Sequence, residues 1–169
     1  VDAAPGELGL CANGFFGASD ININKLKVNA GKEFRVGGSI NASTIIIEGI
    51  LGPKDNDGAE GTPSRRNASN LTITAVTLNL TSNGSIVGQG QRLTISSATF
   101  AGTGASIKIS ATTMYFDGNI SVDGGDHVGT TLSGSGGDAG TLTLNITNNF
   151  NISGNIFARG GTGDSNTCV

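Results

Sequence analysis

The chain has a single histidine, His127, which lies in the glycine-rich stretch "GGDHVG". Histidine is the usual general base near neutral pH, and nucleophilic catalysis needs it beside a serine or cysteine and an orienting carboxylate. The sequence places no such set together. Glycoside hydrolysis needs paired carboxylates, whereas acidic residues such as Glu33 and Asp117 stand alone among neutral neighbours. We therefore expect no enzymatic activity, and we interpret His127 as a solvated loop residue.

Oxygen-bearing side chains precede a glycine in "KDNDGAEG", where Asp55, Asn56 and Asp57 come directly before Gly58. Such ligands suit calcium, but the alternating ligands and the terminal bidentate glutamate of a calcium loop are missing. Three aspartates in later glycine-rich stretches would offer similar ligands: Asp123, Asp126 and Asp138. Asp–Gly pairs are equally typical of tight turns without metal. We expect no cofactor, with calcium kept as the alternative.

Eight asparagines stand in the Asn-x-Ser/Thr sequons that accept N-linked glycans in secreted proteins. They are Asn41, Asn67, Asn70, Asn79, Asn83, Asn119, Asn145 and Asn151. Alternation along a strand makes positions i and i+2 both outward and polar, so chance explains many of these matches. Asn79, Asn145 and Asn151 fall on the outward face of predicted strands and are the first candidates to carry glycan.

The two cysteines, Cys11 and Cys168, lie near opposite ends of the chain. A disulfide between them would stabilise the fold by roughly 3–5 kcal/mol through the entropy of the unfolded chain. Buried thiols and disulfides to neighbouring subunits are the alternatives. A pair of this kind is most useful in an oxidising compartment, and the chain begins at Val1 rather than at methionine. We expect a processed or excised chain that is extracellular or on the cell surface.

The charge balance excludes one class of partner, because 10 basic residues stand against 13 acidic ones. Nucleic-acid binding through the phosphates needs a basic face, and the one local basic cluster is Arg65 with Arg66. No stretch approaches the 18 or so consecutive apolar residues that a transmembrane helix needs. We expect neither nucleic-acid binding nor a membrane-spanning segment.

Two segments share one spacing of apolar or small residues: "LKVNAGKEFRVGGSINA" (26–42) and "LTLNITNNFNISGNIFA" (142–158). An apolar residue at every second position predicts a strand with one buried face. The four-residue steps Ala30 to Phe34 and Ile146 to Phe150 interrupt the alternation in both and indicate a corner. Less regular copies are centred on these stretches and residues: 71–86, 107–122, a partial copy from Leu93, and Ile45 with Ile47.

Repeated short strands that are each too small to bury their own apolar face predict a parallel β-helix, or β-solenoid. Glycine-rich loop insertions would leave it at 52–69 and 123–140. The alternative is an antiparallel β-sandwich or jelly roll, which also has short strands and frequent turns. The equal internal spacing of the two best copies favours the β-helix. The same register predicts one core containing four phenylalanines: Phe34, Phe100, Phe116 and Phe150.

The first 20 residues do not follow the inward pattern that begins near Ile21. We predict an N-terminal arm or cap at 1–20 and a single β-solenoid domain at 21–169. Four apolar residues of the arm would need a surface to cover and are candidates for subunit contact: Leu8, Leu10, Phe15 and Phe16. An unprotected strand edge recruits another strand, so head-to-tail contact between copies would generate a filament.

The stretch "GTLTLNITNNFNISGNIFARGGTG" (140–163) resembles the repeat units of filamentous-haemagglutinin-like and related β-helix surface proteins. In those repeats an L-x-[IV]-x-[AG] strand is followed by F-x-[IV]-x-G-x-I-x-A and a glycine- and aspartate-rich turn. The similarity covers about residues 26–158, and the Asn-Pro-Asn-Gly secretion signature is not present. The resemblance implies an extracellular scaffold for adhesion or assembly, and it assigns no functional residue.

We therefore expect an extracellular structural protein that self-assembles as a subunit of a surface filament or layer. The alternative is a monomeric adhesive or carbohydrate-binding module, with surface glycans as its partner.

Overall fold

The computed structural model describes residues 7–10, 14–16, 20–54, 67–93, 100–128 and 134–163. Every regular element in this part of the chain is a β-strand. The strands are, in chain order, β1 (Glu7–Leu10), β2 (Gly14–Phe16), β3 (Ile21–Val28), β4 (Glu33–Val36), β5 (Ser39–Ile47), β6 (Ile50–Pro53), β7 (Leu71–Leu80), β8 (Ser85–Val87), β9 (Ser106–Phe116), β10 (Asn119–Ser121), β11 (Thr141–Ile152) and β12 (Asn155–Phe157).

The strands form two parallel six-stranded sheets, because the chain visits the sheets alternately. The odd-numbered strands make the first sheet in the order β1-β3-β5-β7-β9-β11, and the even-numbered strands make the second in the same direction. One odd strand and the even strand that follows it are called a rung here. Each rung lies on the rung before it, so β1 with β2 and β11 with β12 are the two terminal rungs.

Apolar side chains in register form columns that run through the rungs. Alternation along each strand directs one set of side chains between the sheets, which is where the core lies. Three of these columns are fully buried in rungs two to five. They are Leu26, Ile45, Leu78 and Met114; Val28, Ile47, Leu80 and Phe116; and, in the second sheet, Phe34, Leu51, Ile86 and Ile120.

Rungs differ in length between the two halves of the chain. Ile21 pairs with Ile40, 19 residues later, whereas Leu71 pairs with Ile107, 36 residues later. The longer rungs carry additional glycine-rich segments after their second strand. Five such segments pack together: 88–93, 100–105, 122–128, 134–140 and 158–163.

The central segment of this glycine-rich bundle, 122–128, exchanges backbone hydrogen bonds with all four others. A β-strand has only two neighbours in its sheet, since its N–H and C=O groups alternate between two sides. Successive hydrogen bonds in the bundle are often three residues apart, as at Gly102 and Ala105 or at Gly137 and Gly140. This spacing is typical of the polyproline II conformation, which has three residues per turn.

Glycine is required inside the bundle because the backbones approach so closely. A Cβ atom on Gly125 would overlap the carbonyl oxygen of Gln91, and one on Gly137 would overlap that of Gly102. The bundle is therefore a packed arrangement of backbones, held by hydrogen bonds such as Gly125 N to Gly102 O at 2.8 Å.

The predicted β-helix with glycine-rich loops and its antiparallel alternative are both wrong. All strand pairings among the described residues are parallel, which contradicts a sandwich or jelly roll. The stretch 123–140 contains two segments of the glycine-rich bundle and is not a loop insertion, where the structure describes it. Two parallel sheets joined to this bundle replace the predicted architecture. The error arose because glycine favours turns, but it also permits close packing of extended backbones.

The register predicted from the two best copies is also wrong. Leu26 was expected to match Leu142, but its column runs through Leu78 and Met114 to Phe150. The four-residue step from Ile146 to Phe150 is a β-bulge within β11, whereas the step from Ala30 to Phe34 is a turn between strands. Two different structures therefore produced the same spacing.

This register error explains why only two of the four phenylalanines are in the core. Phe34 and Phe116 are fully buried, while Phe100 and Phe150 are exposed. Phe34 lies in the second sheet and Phe150 in the last strand of the first.

The N-terminal segment supplies the first strand of each sheet. Leu8 pairs with Leu26 and Leu10 with Val28, while Phe15 pairs with Arg35. The expectation that these residues fall outside the inward pattern is corrected by this register, since Leu8 also packs against the core. The division into an arm and a domain stays a prediction.

Candidate functional site: the C-terminal rung

The last rung exposes the apolar columns that every inner rung buries. Phe150 and Ile152 end the two columns of the first sheet, and Ile156 ends the column of the second. Their side chains are 41%, 50% and 47% exposed, whereas the preceding member of each column is fully buried. The difference arises because β11 pairs only with β9, and β12 only with β10, among the described residues. The C-terminal rung is therefore an apolar surface bordered by two open strand edges.

The edge strand β11 lacks the usual protection against further pairing. Natural edge strands commonly carry a lysine, a proline or an inward-pointing charge that discourages addition of another strand. Thr141–Ile152 contains no charged residue and no proline. Its one irregularity is the bulge between Ile146 and Asn149, where β11 has an additional residue relative to β9. The four residues after the bulge, Asn149–Ile152, are regular and available to a partner strand.

Carboxylates fasten the last described segment to the rung before it. The carboxylate of Asp123 accepts hydrogen bonds from the backbone N–H of Arg159 at 2.8 Å and from its guanidinium at 2.8 Å. Asp126 accepts from the backbone N–H and the hydroxyl of Thr162 at 2.8 and 2.9 Å. Each pair is separated by 36 residues, the length of one long rung. These contacts hold the C-terminal rung in position in addition to the backbone ladder.

The Asp123–Arg159 pair has a clear electrostatic signature. Burial acts to raise the pKa of Asp123, but hydrogen bonds from Arg159 and Ser121 outweigh it and hold that pKa below its usual value. The same contact raises the pKa of Arg159. The guanidinium also lies 5.0 Å from the ring centroid of Phe157, within the range of a cation–π interaction. Arg159 is thereby committed to structure and is not available for an external anion.

His127 is buried in the glycine-rich bundle, with 1% of its surface exposed, so its interpretation as a solvated loop residue is wrong. Its backbone N–H donates to the carbonyl of Thr162 at 2.8 Å. Its ring occupies the space beside Gly134, where a Cβ atom would overlap the imidazole. The bundle therefore uses His127 as packing.

No cluster of three His, Cys, Asp or Glu side chains within the described residues could hold a metal. Asp123 and Asp126 bind neighbouring protein groups, and Asp138 is exposed. Asp55, Asn56 and Asp57 lie outside the described residues. The expectation of no cofactor, with calcium as the alternative, stays a prediction.

The structure divides the eight sequons by what their amides do. Three amides fasten one rung to the next: Asn67 accepts from Thr103 N, Asn70 from Ser106 N, and Asn119 from the amide of Asn155. Four others are exposed and make no hydrogen bond within the described part of the chain: Asn41, Asn83, Asn145 and Asn151. Asn79 is half-buried. Glycosylation itself stays a prediction, with the second group as its best candidates.

Several predicted contact residues cannot be placed as side chains. Cys11 and Cys168 lie outside the described residues, so their disulfide stays a prediction. Leu10, Phe15 and Phe16 have a strand register but no described side-chain position, whereas Leu8 is partly buried against the core.

A shallow groove crosses the outer face of the first sheet. Two adjoining depressions of about 310 and 190 Å³ share Thr74 and Ala75. The floor is the small column Ala42, Ala75 and Ala111, and the rims are neutral amides and hydroxyls: Asn22, Asn41, Ser43, Thr74, Ser110, Thr112, Asn145 and Thr147. The groove can form hydrogen bonds with a neutral ligand but offers no charge and no aromatic platform.

No protein-family model matches the chain, and no characterised protein or solved structure is significantly similar to it. No helix in the described ranges is long and apolar enough to cross a membrane.

Sequence reasoning missed the C-terminal rung as a site. Phe150, Ile152 and Ile156 have the same residue types and spacing as buried positions of inner rungs, so composition carries no sign of their exposure. Their position in the last repeat was the available signal. The Asp123–Arg159 pair had a signal in its 36-residue spacing, which is repeated by Asp126 and Thr162.

Proposed function

We propose that the protein is a structural subunit that assembles end to end through its C-terminal rung, outside the cell or on the cell surface. The observation that carries the proposal is the exposure of Phe150, Ile152 and Ile156 at the ends of columns that are otherwise fully buried. The role is structural rather than catalytic.

Physical considerations support assembly at this surface. Covering three apolar side chains that are each about half exposed would contribute roughly 2–4 kcal/mol. Each backbone hydrogen bond formed along the two open edges adds about 0.5–1.5 kcal/mol. Association itself costs several kcal/mol of translational and rotational freedom. Assembly should therefore depend on protein concentration.

The same proposal is supported by the resemblance of residues 140–163 to repeat units of surface proteins that act in adhesion and assembly. A location outside the cell also suits the pair Cys11 and Cys168 and the four exposed sequons.

Light scattering over a range of protein concentrations tests the proposal. The wild-type particle mass should rise with concentration, and Phe150→Asp should abolish the rise because a charge would be buried at the contact. Val76→Asp is the matched control, since Val76 is also exposed on the first sheet but lies on an inner strand. A wild-type particle that stays monomeric at millimolar concentration, or equal loss of assembly in both variants, would contradict the proposal.

The alternative function, a monomeric adhesive or carbohydrate-binding module, is favoured by the neutral groove on the first sheet. Amides and hydroxyls in register suit the hydroxyls of an uncharged glycan. Binding of a neutral oligosaccharide by the monomer, lost in Thr74→Val, would support this alternative. Absence of binding across a neutral glycan panel would remove it.

A further inference from the structure

We propose that the C-terminal rung receives the N-terminal rung of a second copy of this chain, in the register that joins neighbouring rungs within one copy. This inference rests on the end-to-end assembly proposed above and names the partner surface and its alignment.

The direction of the strands permits this pairing without rearrangement. All strands of each sheet are parallel, and β1 and β11 lie at opposite ends of the first sheet as β2 and β12 do in the second. The outer edges of β1 and β11 face in opposite directions. A second copy displaced along the stack therefore brings β1 beside β11 and β2 beside β12 at once, and one contact extends both sheets.

The register in the first sheet follows from the columns. β1 pairs only with Lys25–Val28, the second half of β3. That half is continued rung by rung to Asn149–Ile152 in β11. In the assembled pair, Leu8 of the next copy would lie beside Phe150 and Leu10 beside Ile152. The bulge of β11 precedes Asn149 and so leaves the paired half regular.

The second sheet gives a matching alignment. Gly14 is aligned with Phe34, and the same column continues through Leu51, Ile86 and Ile120 to Ile156. Gly14 of the next copy would therefore lie beside Ile156, and Phe15 would lie beside Phe157. The short β1 and β2 thus correspond in length and register to the regular parts of β11 and β12. This joins the exposed C-terminal residues to Leu8, Leu10 and Phe15.

The competing arrangement is a two-fold dimer in which two copies of β11 pair with each other. Such a contact is isologous and closes after two copies, whereas contact between opposite ends is heterologous and continues. The two arrangements bring different residues together, so cross-linking separates them.

Cysteine cross-linking tests the register in a chain carrying Cys11→Ser and Cys168→Ser. Leu8→Cys with Phe150→Cys should form intermolecular disulfides on mild oxidation, because neighbouring strands about 4.8 Å apart suit disulfide geometry. The matched control is Leu8→Cys with Leu144→Cys, since Leu144 lies six residues earlier in β11, about 20 Å along the strand. We expect at least ten-fold more cross-linked chain in the first pair than in the control. Should the Cys-to-Ser background fail to fold, the same pairs are made in the unaltered chain and linked peptides are identified by mass spectrometry.

The outcomes distinguish this inference from the proposed function. A ladder of cross-linked oligomers from the 8/150 pair supports both. Assembly by light scattering with cross-linking in the control pair, or in neither pair, overturns the register while the proposed function stands. A cross-linked dimer from Phe150→Cys alone overturns the opposite-end contact in favour of the two-fold dimer. Absence of both assembly and cross-linking overturns both proposals.

Discussion

The inner rungs and the last rung use the same apolar pattern with opposite results. Met114 and Phe116 in β9 are fully buried, while Phe150 and Ile152, their register neighbours in β11, are about half exposed. Nothing in residue type separates the two pairs. The comparison shows that burial in this fold is supplied by the next rung, so a rung with an interior pattern and no neighbour forms a contact surface.

The largest expected difference between the rungs comes from removing an aromatic ring. Phe116→Ala should lower the free energy of unfolding by about 3–5 kcal/mol, because it leaves a cavity in a fully buried column. Phe150→Ala should cost less than about 1 kcal/mol in the monomer, because its ring is already partly in water. Denaturant unfolding at low protein concentration measures both. Equal losses would mean that the last rung is covered within the monomer.

A second difference concerns glycines of the bundle. Gly125→Ala should destabilise the fold by about 1–3 kcal/mol, since the new Cβ must displace the carbonyl of Gln91. Gly160→Ala is the control in the last segment, because its Cβ would meet its nearest neighbour, the Gly137 oxygen, at 3.8 Å. Thermal unfolding should place Gly160→Ala within about 0.5 kcal/mol of wild type. Tolerance of alanine at Gly125 would contradict the close backbone packing.

The attachment of the last segment should weaken in acid. The pKa of Asp123 is lowered in the folded state, so its stabilising contribution is present above the unfolded value of about 3.9 and is lost as pH falls through the folded pKa. The effect is expected to be about 1 kcal/mol or less, because Arg159 is mostly exposed. Amide exchange at Arg159 should accelerate below about pH 4, and Asp123→Asn should remove that pH dependence.

The matched control for this titration is Asp20→Asn. Hydrogen bonds from Ser39 lower the pKa of Asp20 as well, but that pair lies on strands far from Arg159 in the sheet order. Asp20→Asn should change exchange at Ser39 and leave Arg159 unaffected. An Arg159 response to Asp20→Asn would show a global acid transition instead.

The smallest expected effect is on modification. In native material, glycan should occupy one or more of Asn41, Asn83, Asn145 and Asn151 in preference to Asn119, whose amide carbonyl binds Asn155. Peptide mass spectrometry measures the occupancy at each sequon. An intact mass equal to that of the bare polypeptide, or occupancy restricted to Asn119, would contradict this assignment.

The sequence predicted inward positions well where strands alternate without interruption. Ile107, Ile109, Met114 and Phe116 were assigned to one face and are buried. Alternation could not distinguish the turn after Ala30 from the bulge after Ile146, since both insert residues between inward positions. That ambiguity displaced the register of the two most similar segments.

The glycine-rich bundle could not be predicted from the same pattern. Hydrophobic periodicity reports side-chain burial, whereas Gly125 and Gly137 pack through their backbones. The 36-residue recurrence of Asp123 with Arg159 and Asp126 with Thr162 was present in the sequence, but its meaning depends on the rungs being stacked. The C-terminal site was missed for a related reason, because exposure of Phe150 depends on a neighbour that the sequence does not encode beside it.

The axial repeat of assembled material tests the central claim most directly. Six strands at about 4.8 Å give about 29 Å per subunit if both sheets continue from one copy to the next. Electron microscopy or fibre diffraction of concentrated protein should show a filament with this subunit repeat and a 4.8 Å spacing along its axis. A filament with an unrelated repeat, or a particle that stays monomeric, would contradict assembly through the C-terminal rung.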